Sequence, residues 1–205
     1  MAMSSILGSM SKYLNLLKEV GATKVVVASK YMSINNMQNL YNDGCRDFGE
    51  NRADELLGKI SNLPNDITWH FIGSLQTNKV KKIINKITYL HSLDRISLAK
   101  SIQKYRLEPL NCFIQINFTK EIHKSGIFLV DLKEFMNSLN KYDKIRVVGF
   151  MAMGEFDDLA LTEKIFSEML KLKNGYKLSM GMSNDYRIAL KYKADYIRIG
   201  SLLKE

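Results

Sequence analysis

Apolar residues along this chain follow two alternating rhythms. Short unbroken runs, of which Val25-Val26-Val27 is the plainest, are separated by longer stretches where apolar positions return every third or fourth residue. A short β-branched or aromatic run suits a strand buried on both faces, whereas the wider spacing turns one helix face toward a core. The runs predict eight strands, over 24–28, 46–48, 68–72, 87–91, 111–116, 146–151, 177–179 and 195–199. The stretches between them predict helices over 34–41, 52–60, 76–85, 96–105, 129–139, 159–172 and 184–192. Leu161, Ile165, Met169 and Leu172 mark the clearest helical face. Ahead of the first strand, Ile6, Met10, Leu14 and Leu17, interrupted by Lys12 and Lys18, predict one more amphipathic helix.

Strands that alternate with helices from end to end imply an α/β fold with a parallel sheet, and eight of them imply a closed (β/α)8 barrel of the TIM type. An open doubly wound sheet gives the same alternation but carries a glycine-rich first turn. Here the first strand is followed by Ser29-Lys30-Tyr31-Met32. The chain closes at Leu203-Lys204-Glu205, so the final helix is expected to be a stub, with the N-terminal helix filling part of its place.

Composition narrows the picture further. With 205 residues, 46% of them hydrophobic, and only two prolines, the chain is expected to form one domain over 1–205. Cys45 and Cys112 stand far apart with no cysteine or histidine cluster at metal-ligand spacing. Neither a disulfide framework nor a metal site is indicated, and a reducing cytoplasm is the expected location. No stretch approaches the apolar length that spans a bilayer, so no membrane partner is expected. The formal charge of +9 raises the question of nucleic acid, with Lys79, Lys81, Lys82 and Lys86 as the densest cluster. Val80, Ile83, Ile84 and Ile87 interleave with those lysines, which therefore read as the solvated face of a helix, and no nucleic-acid partner is expected.

The candidate chemistry starts at Lys30, which stands just past the first buried strand, where α/β folds build their sites. There a partly desolvated amine would have a lowered pKa and would be a nucleophile toward a carbonyl, forming a Schiff base. The plainer reading is a lysine capping an ordinary strand. Barrels also hold phosphate on the loops after their last two strands. Ser179-Met180-Gly181-Met182-Ser183 and Arg198-Ile199-Gly200-Ser201 offer glycines for close backbone approach, hydroxyls, and helix starts there, with Ser183 placed to cap a helix. Glycine and serine also make ordinary turns. Asp185, in the first turn of the next helix, would repel a phosphate and is expected to point away from one.

Several segments then line up as an ordered set: Val27-Ala28-Ser29-Lys30, Asp47-Phe48-Gly49-Glu50-Asn51, residues 69–79 from Trp69 to Lys79, Ser92-Leu93-Asp94-Arg95, Lys124-Ser125-Gly126, Gly149-Phe150-Met151, Gly181-Met182-Ser183 and Arg198-Ile199-Gly200. Over nearly the whole chain this set resembles the YggS/PROSC family of pyridoxal 5'-phosphate homeostasis proteins. The resemblance implies a fold-type III barrel, similar to the N-terminal domain of bacterial alanine racemase, holding pyridoxal 5'-phosphate as a Schiff base on Lys30. It also implies that Ser183, Gly200 and Ser201 contact the phosphate, that Arg198 approaches the pyridine nitrogen, and that Asn51, His70, Met151 and Ser179 line the pocket. Ser201 stands where threonine is common, and the short C-terminus puts barrel closure and cofactor affinity in question. Read without the resemblance, His70 also suits a hydrogen-bonded core histidine, Asn51 a helix cap, Trp69 packing, and Met151 and Met153 core filling.

A permanent cation such as Arg198 at the ring nitrogen disfavours ring protonation and weakens the cofactor as an electron sink. In alanine racemase a second base comes from a separate domain of the partner subunit, and this chain has no residues left to build one. The implied role is therefore reversible, non-catalytic binding in cofactor homeostasis, with apo-enzymes as recipients and a monomer as the working form. The rival readings are an amino-acid racemase or related enzyme, and a module binding another phosphorylated ligand or nucleic acid.

Overall fold

The computed structural model describes residues 11–119, 121 and 124–204. Ile6 and Met10 of the predicted N-terminal helix lie outside the described residues, and the helix is seen as α1, Lys12–Val20, capped by the Ser11 hydroxyl. After it come β1 (Lys24–Ala28), α2 (Ile34–Asn42), β2 (Asp47–Glu50), α3 (Ala53–Ile60), β3 (Thr68–Phe71), α4 (Thr77–Ile83), β4 (Tyr89–Leu93) and α5 (Ile96–Tyr105). The second half adds β5 (Leu110–Asn117), a two-residue β6 (Ile127–Phe128), α6 (Leu132–Leu139), β7 (Ile145–Met151), α7 (Leu159–Lys171), β8 (Lys177–Met182), α8 (Tyr186–Lys191) and β9 (Tyr196–Ile199). Apart from β6, which pairs only with the end of β5, the strands form a parallel eight-stranded barrel in the order β1-β2-β3-β4-β5-β7-β8-β9.

Closure is made by four register pairs between β1 and β9, from Lys24↔Tyr196 to Val27↔Ile199. The short C-terminus does not prevent it. A single 3-10 turn, Ser201–Leu203, replaces the final helix. α1 takes up the neighbouring space: Glu19 accepts from Tyr186 and Arg187 of α8, and the Lys12 amine donates to the Lys204 carbonyl.

Alternation within β1 sorts its three valines. Val25 and Val27 face the layer between strands and helices, which holds the large apolar cluster, while Val26 faces the lumen with Phe113, Met151 and Tyr196. Lys79, Lys81 and Lys82 lie on α4 around the buried Val80 and Ile83, while Lys86 follows in the turn beyond it, exposed beside the buried Ile84 and Ile87. Trp69 packs against Phe48.

Several predicted boundaries move; the strand at 177–179 runs on to Met182 and takes Gly181 into the sheet, and the helix at 76–85 contracts to Thr77–Ile83. The strand at 46–48 becomes Asp47–Glu50, because Gly49 and Glu50 resemble a turn in sequence but are buried in the ladder beside β3. The strand at 87–91 becomes Tyr89–Leu93, since Ile87 is spent on core packing before the ladder begins. The helix at 129–139 opens with a separate 3-10 turn, Leu129–Asp131. Among the described residues no helix is long and apolar enough to cross a membrane.

Candidate functional site

The C-terminal ends of the strands converge on a two-lobed cavity. Lys30, Asn51, Met151 and Met153 line one lobe of about 260 Å³. Ser183, Asp185 and Glu155 line the other, of about 290 Å³. Ala28, Met182, Arg198, Gly200 and Ser201 border both. A larger polar cleft of about 490 Å³ shares only Asn51 with this cavity and is braced by the Lys79–Asp54 ion pair outside the barrel mouth.

Lys30 sits in a turn closed by the Met32 N–H on the Ser29 carbonyl at 2.9 Å, with Tyr31 in the left-handed region at φ 63°. Its amine lies 4.7 Å from the Tyr31 ring centre. The expected partial desolvation is not observed: Lys30 is exposed, because the turn lifts it above the strand end into the cavity mouth.

The turn is anchored from below by Glu50 and Lys59, which no local pattern marks as partners. Buried Lys59 of α3 donates to the Ser29 carbonyl at 2.8 Å and to Glu50 Oε2 at 2.5 Å, while Glu50 Oε1 accepts from the Asn51 N–H at 2.8 Å. The Ser29 hydroxyl donates to Glu50 as well. One buried ion pair thus pins the residue before Lys30 to the residue before Asn51. The available signal was Glu50 itself, a charged residue two positions after Phe48 at the end of the strand. Asn51 is not the helix cap; Arg52 precedes α3 in that position.

The second lobe is built where β8 and β9 end. Gly181, buried within the last residues of β8, has φ +94°, and a Cβ there would come within 2.6 Å of the Ala189 side chain, so α8 packs directly on the end of that strand. At Gly200 a Cβ would approach the Ala28 carbonyl at 3.1 Å and narrow the cavity floor. Ser183 does not cap α8 as expected. Its hydroxyl accepts from the Gly200 N–H at 3.3 Å and ties the two strand ends together.

Asp185 departs from expectation too. It lines the lobe instead of pointing away, although Oδ1 is turned back to accept from the Met182 N–H at 2.5 Å. Burial raises its pKa, opposed by that N–H and by the Arg198 charge. Burial in turn pushes Arg198 down to about 10, with Asp185 pulling the other way, so the guanidinium stays charged at neutral pH. Arg198 donates to the Ser179 hydroxyl at 2.7 Å and to the Ala152 carbonyl at 3.1 Å.

His70 and Ser179 do not line the cavity. Both are fully buried in the lumen beneath it, because their strand positions turn inward below the barrel mouth. His70 stacks on Tyr89, with ring centres 4.6 Å apart. Met153, expected in the core, is half-exposed at the rim, whereas Met151 is buried with its edge on the cavity.

These groups suit a small ligand carrying an aldehyde and a phosphate. An amine projects into one lobe, the Ser183 hydroxyl faces the other, Gly200 and Ser201 at the start of a short helical stub border both, and a cation joins them. A cradle that a Cβ at Gly200 would narrow is consistent with backbone approach to phosphate oxygens.

A closed parallel barrel with this amine and these paired strand ends defines the class of alanine racemase-like barrels. The family model for the alanine racemase N-terminal domain matches residues 15–204. A Schizosaccharomyces pombe protein named pyridoxal phosphate homeostasis protein is 34% identical over 193 residues, covering 86% of this chain and 81% of its own. A Helicobacter pylori (strain J99) protein of the same name is 38% identical over 192 residues, covering 88% and 86%. Among solved structures, PipY of Synechococcus elongatus with pyridoxal phosphate bound superimposes with a TM-score of 0.82 at 25% identity, covering 95% of this chain and 99% of PipY. Alanine racemase of Corynebacterium glutamicum shares the fold, with a TM-score of 0.74 at 13% identity over 94% of this chain and 59% of that one. The chain belongs to the alanine racemase N-terminal domain family and, within it, to the pyridoxal phosphate homeostasis proteins.

Proposed function

We propose that this protein binds pyridoxal 5'-phosphate reversibly as a Schiff base on Lys30, and that it serves intracellular homeostasis of the cofactor without efficient catalysis. The observation that carries the reading is that Lys30, Ser183, Gly200 and Ser201 open on one cavity with Arg198 between them. Gly200, Ser183 and Ser201 would hold the phosphate by N–H and hydroxyl groups. Asn51 and Met151 would flank the ring, and Arg198 would lie at the ring nitrogen. When bound, the cofactor would supply an electrophilic aldehyde carbon, and Lys30 would hold it through its amine at the solvent-open cavity mouth, where another amine could reach the same carbon.

The exposure of Lys30 supports a carrier, since an incoming amine reaches the bond from solvent and delivery to apo-enzymes is open. A racemase needs two bases on opposite sides of its substrate. Here the Lys30 amine and the Tyr31 ring sit together on one side of the lobe. The name and PLP-bound structure of the relatives support the same reading, and a cytoplasmic location accords with it.

The test is visible absorption with added pyridoxal 5'-phosphate before and after borohydride reduction, in wild type and Lys30→Ala. We expect a band that borohydride bleaches and a cofactor-sized mass retained on the Lys30 peptide, both missing in the variant. Retention of an equal adduct in Lys30→Ala removes Lys30 as the anchor. Turnover of L-alanine at rates typical of enzymes, about 1 s⁻¹ or more, would overturn the non-catalytic part.

A further inference from the structure

Below the cavity, five polar side chains form a single hydrogen-bonded line through a lumen otherwise lined by Val26, Phe113, Met151, Tyr89 and Tyr196. Asp47, the first residue of β2, lies at the far end of the barrel, where Lys24 approaches it at 3.4 Å. From Asp47 Oδ1 the line passes to His70 Nε2 at 2.9 Å, from His70 Nδ1 to His91 Nε2 at 2.9 Å, and from His91 Nδ1 to Ser179 Oγ at 2.8 Å. It ends on Arg198 Nη1 at 2.7 Å. His70, His91 and Ser179 are fully buried and Arg198 nearly so. The His91–Ser179 bond crosses from β4 to the opposite wall at β8.

Donor and acceptor rules allow one consistent assignment. Burial is the largest single influence on Asp47 and works against its ionised form, but the His70 hydrogen bond and the attraction of His70 and Lys24 together hold the carboxyl below its usual range, so at neutral pH it only accepts. His70 must donate from Nε2, and a neutral ring then accepts at Nδ1. His91 donates from its own Nε2 and accepts at Nδ1, which the Ser179 hydroxyl fills. That leaves the Ser179 oxygen to accept from Arg198, which cannot do otherwise. Burial drives both imidazoles toward the neutral form that this order requires. Every bond points the same way, from the cation at the cavity to the carboxylate at the other end. Stacking of His91 on Phe113 and of His70 on Tyr89 fixes the ring planes. Among the described residues no carboxylate lies within ion-pair distance of Arg198; Asp185 attracts it from farther off, and this line joins it by hydrogen bonds to a second carboxylate, Asp47.

We propose that Asp47, His70, His91 and Ser179 form a positioning relay that sets the direction of the Arg198 guanidinium, and through it the cation presented to the cavity, from the opposite end of the barrel. The relay is a property of the protein without ligand; only its effect on pyridoxal 5'-phosphate rests on the function proposed above.

Nitrogen-15 NMR of the full chain without cofactor tests it. Wild type should show His70 and His91 as single neutral tautomers, each protonated at Nε2. Asp47→Asn, made outside the cavity, should shift the His91 nitrogens and the Arg198 guanidinium signal and weaken pyridoxal 5'-phosphate binding by about fivefold or more. In Ser179→Ala, where the line is cut, the same far-end substitution should no longer move Arg198. Protonation at Nδ1 of either ring in wild type overturns the relay, and this arm decides even if a variant fails to fold. An Arg198 signal unmoved by Asp47→Asn, or moved equally when Ser179 is absent, overturns it as well. If the tautomers and couplings hold but the cofactor does not bind, the relay stands and the cofactor reading fails.

Discussion

Gly200 shows how much one missing methyl group decides. Its φ of −123° is not in the left-handed region that favours glycine. The requirement is space, because a Cβ would stand 3.1 Å from the Ala28 carbonyl and face the cavity that Lys30 and Arg198 share. Gly200→Ala is therefore expected to weaken pyridoxal 5'-phosphate binding by about tenfold, on the order of 1.4 kcal/mol, while the melting temperature moves by no more than about 3 °C. Fluorescence titration beside calorimetry separates the two. A large fall in melting temperature with unchanged affinity would mean that the residue serves packing alone. Lys30, in contrast, was legible from its place after the first strand, although its exposure was not, since a turn's height above the barrel is set by backbone angles that neighbouring letters do not reveal.

At the scale of elements, the Lys59–Glu50 pair joins three of them: the end of β1 through Ser29, the end of β2 through Asn51, and the face of α3. Glu50 has no exposed side-chain surface, so removing its partner strands a carboxylate in the barrel wall. Lys59→Met should cost about 3–5 kcal/mol of unfolding free energy in urea titrations. The double variant Lys59→Met with Glu50→Gln should recover a large part of that loss, because no charge is then left unpaired. Equal loss in single and double variants would show that the pair acts through shape and not charge. Sequence periodicity found α3 to within one residue of its start but gave no hint of this bond, since Lys59 looks like any solvated helix lysine until the sheet it faces is known.

For the whole molecule, the buried line through the lumen makes stability depend on acid. Burial holds His70 and His91 below the ordinary imidazole range, His91 the more strongly. Unfolded, each takes up a proton near pH 6.5. Below that pH the unfolded chain binds more protons than the native one, so acid favours unfolding. Unfolding free energy should be level above about pH 7 and fall between about pH 6.5 and 5, with a limiting slope near 2.7 kcal/mol per pH unit for two sites. Asp47 adds to the fall only at lower pH, where its depressed carboxyl takes up a proton. Urea midpoints measured across this range check the sign, and a midpoint that rises toward pH 5 would contradict neutral interior histidines.

Hydrophobic period was sufficient for the barrel: eight parallel strands, their order and the helices between them follow from runs of two-sided burial alternating with one-sided helical faces. Motif order was sufficient for the family, and the positions of Lys30, Ser183, Arg198 and Gly200 at strand ends followed from the barrel itself. Folding supplied what depends on which walls meet. His91 drew no attention in the chain because nothing local distinguishes it, yet closure of the barrel sets it against Ser179, 88 residues away. The same closure withdrew His70 from the cavity, turned the Ser183 hydroxyl to Gly200 instead of α8, and placed Asp185 on the cavity wall. Local pattern records how each segment buries its own surface, whereas hydrogen bonds across a lumen are settled only when opposite strands are brought within 3 Å of each other.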